Sequence, residues 1–355
     1  MRRLAPAVLL LLLLLPACSG TEAPADGAGS DPESPVTSST PAEDRPSTSG
    51  TDEASESGAT PSESPHPVSL PALMEKEHDG GGLRLGPEVY RTATQVQHQV
   101  TYRSGDLTIS GRLAVPAGRG PFPAIVLAHG YIDPAVYVNG QGMTREREWL
   151  AAQGYVVLHV DYRNHAGSED DPESELDLRL GYTEDVINAV HALRKWDGPV
   201  DDERIAVGGR SMGGGVVYNV LTVAPGLVDA GVVWAPVSSD TVDNFNRWIR
   251  PDPGRSDLAS RILRRYGEPA RNRGFWRNAS PRTFFDRVTE PVLIHHGTSD
   301  DTCPIAWSHE TDRAMRDAGV DVTFEVYEGE EHAFGPQFFR SMELTRRFLE
   351  QHLRG

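Results

Sequence analysis

Short apolar runs alternate with longer amphipathic stretches from about residue 90 to the end of the chain. The runs are predicted to be buried strands, because they have strand length and are separated by turn residues. Eight strands are predicted, at Val96–Tyr102, Leu107–Val115, Phe122–Ala128, Tyr155–Val160, Arg204–Val207, Val228–Trp234, Pro291–His295 and Val322–Tyr327. Helices are predicted between them, at 143–153, 176–196, 212–222, 305–318 and 338–353. This alternation predicts an α/β domain over residues 90–355, with a mostly parallel sheet covered by helices on both faces.

Residues 238–286 interrupt the alternation. They combine aromatic side chains with many arginines and lack strand-like runs. We expect a small, mainly helical cap inserted between two strands of the sheet.

The start of the chain has the pattern of a secretory signal. Residues 1–18 carry two arginines directly after Met1 and continue in an apolar run shorter than the roughly 20 residues that a membrane-spanning helix needs. Leu15-Pro16-Ala17-Cys18 resembles a bacterial lipobox, in which the cysteine carries a lipid. We therefore expect lipidation of Cys18 and a membrane-anchored protein facing outside the cytoplasm, in the bacterial envelope. The alternative is an ordinary secretory signal with an incidental cysteine.

Residues 19–89 are rich in Ser, Pro, Gly and acidic side chains. Such a segment buries too little apolar surface to offset the entropy of ordering, so a disordered tether is predicted, with a flexible joint at Gly80–Gly82. Ten acids and one base lie between residues 19 and 67, and the whole chain has a net charge of −17. This charge argues against binding to nucleic acid, which requires clustered cationic side chains.

Two cysteines are present, Cys18 and Cys303, so no disulfide is expected in the domain. Cys303 is predicted to be a small buried thiol. His295 and His296 are predicted to pack at the end of a strand, because no nearby side chains have metal-ligand spacing. No metal site is expected.

A G-x-S-x-G pentapeptide lies at Gly209–Gly213, between a predicted strand and a predicted helix. This context is typical of a sharp turn that exposes the hydroxyl of a nucleophilic serine, here Ser211. The alternative is a Gly-rich loop that binds an anion at a helix N-terminus.

A serine nucleophile needs a base, and the base needs an acid to orient it. His332 follows the last predicted strand and is the candidate base. Asp300 and Asp301 follow the preceding strand, and both are candidates for the acid. Glu330 and Glu331 are interpreted as solvated loop charges.

Acyl transfer also needs two backbone N–H donors that stabilise the oxyanion. We predict that one is Met212, which follows the serine. The other is predicted to be Tyr131, in the loop after the strand that ends at Ala128.

With these motifs, the sequence resembles the catalytic domain of the prolyl oligopeptidase family and its esterase relatives. The matching stretches are Gly111–Pro116, Phe122–Gly130, Asp161–Arg163, Gly209–Gly213, His296–Asp300 and Glu331–Phe334. The resemblance implies an α/β-hydrolase fold. It also implies Asp300 as the acid, because the family's acid is the aspartate of an H-G-x-x-D stretch. Two departures are Asn164, where the family has glycine, and a polar tether where classical members carry a β-propeller.

The residues and the resemblance together predict a serine hydrolase that uses Ser211, His332 and Asp300 without a cofactor. The expected substrate is a small ester or a short peptide. Two other functions remain open: a non-catalytic surface binding protein on the same fold, and an acyltransferase that uses an acceptor other than water.

Overall fold

A nine-stranded sheet runs through the residues that the computed structural model describes, 64–353. Its strand order is β1-β2-β3-β5-β4-β6-β7-β8-β9, and the strands from β5 to β9 in that order are parallel to one another. The strands are β1 (Gly81–Arg91), β2 (Gln95–Ser104), β3 (Leu107–Pro116), β4 (Phe122–Ala128), β5 (Val156–Val160), β6 (Val200–Arg210), β7 (Ala230–Trp234), β8 (Val292–Gly297) and β9 (Val322–Tyr327).

Helices cover both faces of this sheet. The α-helices are α1 (Leu70–Glu75), α2 (Thr144–Ala152), α3 (Gly181–Arg194), α4 (Met212–Val223), α5 (Thr241–Asn244), α6 (Ser256–Tyr266), α7 (Arg273–Asn278), α8 (Ile305–Asp317) and α9 (Phe338–His352). Alternate side chains of β4 belong to different apolar clusters, Val126 to one and Ile125 to the other. Both faces of the central strands are therefore buried, which explains their continuous apolar sequence.

The predicted fold class is confirmed, but the prediction of eight strands is wrong by one. The missed strand is β1, which pairs antiparallel with β2 at the edge of the sheet. Most β1 side chains are exposed, so its sequence lacks the apolar pattern that identified the other strands.

The structure also differs from the prediction of a tether that continues to residue 89. Helix α1 and most of strand β1 lie within that range. Ser69 caps α1, its Oγ accepting from the Ala72 N–H at 3.2 Å, and Leu70 is fully buried. Gly80 is not a free joint, because a Cβ there would lie 2.2 Å from the Asn188 carbonyl oxygen.

The chain between β7 and β8 forms a helical cap, at the position where the insertion was predicted. It contains α5, a π-helical turn at Phe245–Ile249, α6, α7 and a 3₁₀ segment at Pro281–Arg287. Tyr266 and Phe275 stack with ring centroids 4.2 Å apart and join α6 to α7. The edge of the His66 ring meets both rings, so the chain just before α1 lies against the cap.

The predicted signal segment, Cys18 and the tether up to residue 63 lie outside the described residues. Within residues 64–353, no helix is both long enough and apolar enough to cross a bilayer.

Candidate active site

Ser211 occupies the turn between β6 and α4, with φ 57° and ψ −122°. A left-handed φ is costly for a residue with a side chain, by about 1–3 kcal/mol, and such residues concentrate at functional sites. The turn is held in place because the Ser211 N–H donates to the Trp234 carbonyl oxygen at 3.0 Å. The predicted strand, sharp turn and helix around the serine are therefore all present.

The two glycines of the pentapeptide are required by close backbone packing. A Cβ on Gly209 would lie 2.3 Å from the Gly213 carbonyl oxygen, and a Cβ on Gly213 would lie 2.0 Å from that of Ala128. These distances leave no room for a side chain. The turn can form only because both positions lack one.

Asp300 and His332 come from the loops that follow β8 and β9. The His332 Nδ1 donates to Asp300 Oδ2 at 2.8 Å. The other carboxylate oxygen accepts from the backbone N–H groups of Thr302, at 2.9 Å, and Cys303, at 2.8 Å. When Nδ1 carries the proton, Nε2 is left with a lone pair that can accept one.

His296 is a further partner of Asp300 that the sequence analysis did not identify. Its Nε2 lies 3.1 Å from Asp300 Oδ2, and its Nδ1 lies 2.6 Å from Ser308 Oγ. Burial alone would raise the pKa of Asp300, but the hydrogen bonds from His296 and His332 hold it well below its usual range. The carboxylate is therefore ionised and available to stabilise an imidazolium. The i, i+4 spacing of His296 and Asp300 was the feature of the sequence that could have indicated this contact.

Ser211 and His332 line one cavity of about 500 Å³, together with Tyr131 and Met212. The structure contains no hydrogen bond between Ser211 and His332, both of which it describes. The Ser211 Oγ lies 3.9 Å from the Sγ of Cys303. The structure thus brings the candidate nucleophile, base and oxyanion residues to one cavity and pairs the base with the acid.

Cys303 is fully buried beside the serine, as the sequence analysis expected for a small buried thiol. Burial, with the nearby Asp300 charge, raises its pKa to about 12. Because the thiolate is the reactive form of cysteine, Cys303 is a poor nucleophile at neutral pH.

The loop that follows β4 approaches the serine closely. A Cβ on Gly130 would lie 3.2 Å from the Ser211 Cβ. Within residues 64–353, the backbone N–H groups of Tyr131 and Met212 have no hydrogen-bond acceptor. Both remain free to bind an oxyanion.

Asp161 fixes the conformation of this loop from beneath. Its Oδ1 accepts from the Tyr137 hydroxyl at 2.7 Å and from the Gly140 N–H at 2.8 Å. Its Oδ2 accepts from Ser110 Oγ and Asn139 Nδ2, both at 2.6 Å. All four acceptor sites of a buried carboxylate are used, which makes the loop rigid.

A second buried carboxylate fixes the loop that carries His332. Glu330 is 2% exposed, so its interpretation as a solvated charge was wrong, whereas Glu331 is exposed. The Glu330 carboxylate accepts from the backbone N–H groups of Gly335, at 2.6 Å, and Gln337.

The cap and the core share the walls of the cavity. Most of the wall is apolar, and the charged side chains among the lining residues are Glu175, Arg179, Asp252 and Arg255. The apolar lining residues are Leu178, Leu180, Met212, Val216, Val237, Phe245, Trp248, Ile249, Ile262, Ala279 and Pro281. An apolar cavity with a few polar groups is the usual form of a small-molecule site.

Comparisons with known proteins agree with this architecture. Residues 141–355 match the model of the prolyl oligopeptidase family. Dipeptidyl aminopeptidase BIII of Pseudoxanthomonas mexicana is 27% identical over 269 residues, which are 74% of this chain and 37% of that protein. The chain thus spans well under half the length of this relative.

Two solved structures show the same fold in different formats. The acylaminoacyl peptidase of Pyrococcus horikoshii has a TM-score of 0.57 at 22% identity, covering 73% of this chain and 42% of that chain. An acetyl xylan esterase from Paenibacillus sp. R4 has a TM-score of 0.57 at 21% identity, covering 80% of this chain and 92% of that chain. The fold therefore occurs both within a longer peptidase and as nearly the whole of an esterase.

Proposed function

The chain belongs to the prolyl oligopeptidase family, and on that premise we propose that it is a serine hydrolase that cleaves acyl ester or peptide bonds through an acyl-enzyme on Ser211. The observation that carries the proposal is that Ser211 and His332 line one cavity, while the Nδ1 of His332 donates to Asp300. A nucleophile, a base and an acid in this arrangement support acyl transfer.

In the first half of the reaction, Ser211 Oγ attacks the carbonyl carbon of the substrate while its proton passes to His332 Nε2. This step requires a hydrogen bond between Ser211 Oγ and His332 Nε2, and catalytic hydrogen bonds of this kind often form or tighten only when substrate binds. The tetrahedral intermediate then collapses, and the imidazolium gives its proton to the departing alcohol or amine. Asp300 stabilises the imidazolium and keeps its Nδ1 proton in place.

In the second half, water enters where the leaving group was. His332 Nε2 takes a proton from that water, and the resulting hydroxide attacks the acyl-enzyme carbonyl. Collapse of the second tetrahedral intermediate releases the acid and returns the proton to Ser211. The Tyr131 and Met212 N–H groups stabilise the oxyanion in both halves. Each such donor contributes a factor of roughly 10² to 10³ in rate.

A direct comparison of substrates determines whether the protein cleaves ester or peptide bonds. Relatives with peptidase names support peptide cleavage, and the fold shared with an acetyl xylan esterase, over 92% of that chain, supports ester cleavage. Purified protein should be assayed with aminoacyl-proline p-nitroanilides and with short p-nitrophenyl esters. The bond type is assigned if the wild-type protein turns over only one of the two series and Ser211→Ala loses that activity.

The proposed nucleophile is tested with p-nitrophenyl acetate. Ser211→Ala should lower kcat by about 10⁴-fold or more, because it removes the hydroxyl that is proposed to attack the substrate. Cys303→Ala is the matched control, since its thiol is the neighbouring candidate, and it should stay within about fivefold of wild type. Wild-type turnover by Ser211→Ala would refute the proposal, and loss of activity in Cys303→Ala alone would transfer the role to the thiol.

We further propose that a lipid on Cys18 holds the protein on the outer side of a bacterial membrane. The support is the Ala17-Cys18 pair after an apolar run of signal-peptide length. In a bacterial host, Cys18→Ala should move the protein from the membrane fraction to the soluble fraction, while Cys303→Ala should not. A Cys18→Ala protein that stays with the membrane would contradict the lipid anchor.

A further inference from the structure

Helices α6 and α7 of the cap lie in a stretch of concentrated positive charge. Residues 261–278 contain six arginines and a single acid, Glu268, whereas the whole chain has a net charge of −17. That acid is paired with Arg250, which lies outside the stretch. This part of the cap is therefore basic on a protein that is strongly acidic as a whole.

Four of the six arginines have exposed side chains without a partner. Among residues 64–353, no hydrogen bond, ion pair or ring contact involves the guanidinium groups of Arg264, Arg271, Arg273 and Arg277. Arg261 and Arg265 differ, because both pair with Glu173, outside the cap. Four positive charges are thus available to bind a partner.

Arg264 lies on the outer face of α6. The inner face of this helix buries Ile262 and Tyr266. Successive residues of an α-helix are about 100° apart around its axis, and Arg264 is two residues from each of the buried pair. Its side chain therefore leaves the opposite side of the helix, which faces solvent.

Arg273 and Arg277 occupy the outer face of α7 by the same geometry. They are four residues apart and share one side of the helix. Phe275, midway between them, is buried and stacks on Tyr266 with ring centroids 4.2 Å apart. This stack joins the two helices on their inner sides, so their outer faces lie next to each other. We define the cap arginine surface as Arg264, Arg271, Arg273 and Arg277.

The chemistry of this surface fits the phosphate groups of anionic phospholipids. A guanidinium group can donate two parallel hydrogen bonds to a phosphate. Each arginine near an anionic membrane strengthens binding by about fivefold. Acids elsewhere on the protein oppose this attraction little, because charges are largely screened beyond about 8 Å at physiological ionic strength.

The point at which the chain reaches the cap favours a membrane over other polyanions. The edge of the His66 ring contacts the rings of Tyr266 and Phe275, with centroids 5.5 and 5.0 Å away. The described chain thus begins beside the two basic helices. A chain anchored by the lipid proposed on Cys18 would reach the domain at this side. Membrane binding through lipid chains is commonly completed by a second, polybasic signal.

We propose that the cap arginine surface is a docking site for anionic phospholipid headgroups, which holds the outer side of the cap against the membrane. None of its four arginines is among the residues that line the cavity containing Ser211. Docking and hydrolysis therefore use separate surfaces, and the inference does not depend on the chemistry proposed for Ser211.

The test measures binding to vesicles by sedimentation. The protein begins at Ser19, which omits the apolar signal run and Cys18 but keeps every described residue. One set of vesicles contains equal parts of phosphatidylglycerol and phosphatidylcholine, and the other contains phosphatidylcholine alone. In about 0.1 M NaCl, the protein should bind the anionic vesicles at least about tenfold more strongly, and about 0.5 M NaCl should remove most of that difference.

A triple variant and a matched control make the result specific. Arg264→Gln/Arg273→Gln/Arg277→Gln should lower the partition coefficient on anionic vesicles roughly 100-fold, about fivefold for each arginine. The control removes the same charge from three exposed arginines outside the cap, as Arg84→Gln/Arg103→Gln/Arg119→Gln. It should stay within about threefold of the unsubstituted protein. Circular dichroism checks that both variants are folded.

Three results would overturn the inference. The first is equal binding to anionic and to pure phosphatidylcholine vesicles. The second is an equal loss in the two triple variants, which would show that only the overall charge matters. The third is tighter binding to a DNA oligonucleotide than to the vesicles, lost in the cap variant alone, which would assign the surface to another class of polyanion.

Discussion

His332 Nδ1 and Asp300 Oδ2 lie 2.8 Å apart, although 32 residues separate the two side chains along the chain. The parallel order of β8 and β9 produces this contact, because both loops leave the carboxyl edge of the sheet side by side. Ser211 leaves the same edge at the end of β6. The order of strands in the sheet thus gathers the three proposed catalytic residues.

Replacing Asp300 by Asn should keep the fold and lower kcat by roughly 10³ to 10⁴-fold. The amide favours the wrong imidazole tautomer and removes the charge that stabilises the imidazolium. The measurement is kcat with p-nitrophenyl acetate at pH 7. Asp301→Asn is the matched control, because its carboxylate is bonded to the hydroxyl of Thr302 and not to His332. A larger loss in Asp301→Asn than in Asp300→Asn would reverse the assignment.

Gly213→Ala should destabilise the protein by about 3 kcal/mol or more, because a methyl group would overlap the Ala128 carbonyl oxygen. Denaturant unfolding measures the change in free energy. Gly274→Ala is the control, since a Cβ there meets no atom within 4 Å and should change stability little. Equal stability of the two variants would mean that the turn at Ser211 is looser than described.

Asp161→Asn should both destabilise the protein and slow catalysis. An amide nitrogen would replace one oxygen that accepts two hydrogen bonds, leaving buried donors unpaired at a cost of about 3 kcal/mol. At temperatures where the variant is folded, kcat should fall by up to about 10²-fold, because the affected loop carries Tyr131. Exposed Asp170 provides the control as Asp170→Asn. Full activity in a folded Asp161→Asn protein would show that this network does not position the loop.

Acidification below pH 6.5 should destabilise the protein through His295. Burial lowers the pKa of His295 to about 3, so the unfolded chain binds a proton between pH 6.5 and 3 that the folded chain does not. The stabilisation that neutral His295 contributes is fully present above pH 6.5. It decreases as the pH is lowered, by up to about 1.4 kcal/mol per pH unit.

The measurement is the free energy of unfolding between pH 7 and pH 5. His295→Gln should make its pH dependence shallower, whatever its stability at pH 7. His309→Gln, which changes an exposed histidine, should keep the wild-type slope. An unchanged slope in His295→Gln would mean that this histidine becomes protonated in the folded protein.

The sequence predicted the parts of the fold that have a strong local pattern. The buried central strands are continuous apolar runs, and the serine lies in a motif whose glycines are required by packing at 2.0–2.3 Å. Edge strand β1 was missed because its exposed side chains carry no such pattern. The same exposure led to the interpretation of residues 81–89 as part of a tether.

The supporting groups of the site could not be predicted in the same way, because their contacts join distant segments. His296 was expected only to pack, and its bond to Asp300 depends on a loop conformation that composition does not reveal. Glu330 looked like a surface charge because it lies among acids in a loop. The approach of Arg179 to Met212 depends on the left-handed backbones of Leu178 and Arg179. That conformation usually indicates glycine, so the sequence here does not predict it.

The central claim is that Ser211 is an activated nucleophile, and labelling with a fluorophosphonate tests it most directly. The intact mass of the folded protein and a peptide map should show one phosphonyl group on Ser211. Labelling should be lost in Ser211→Ala, slowed at least about 10²-fold in His332→Ala, and retained in Cys303→Ala. A folded wild-type protein that stays unlabelled, or carries the label on another residue, would contradict the account.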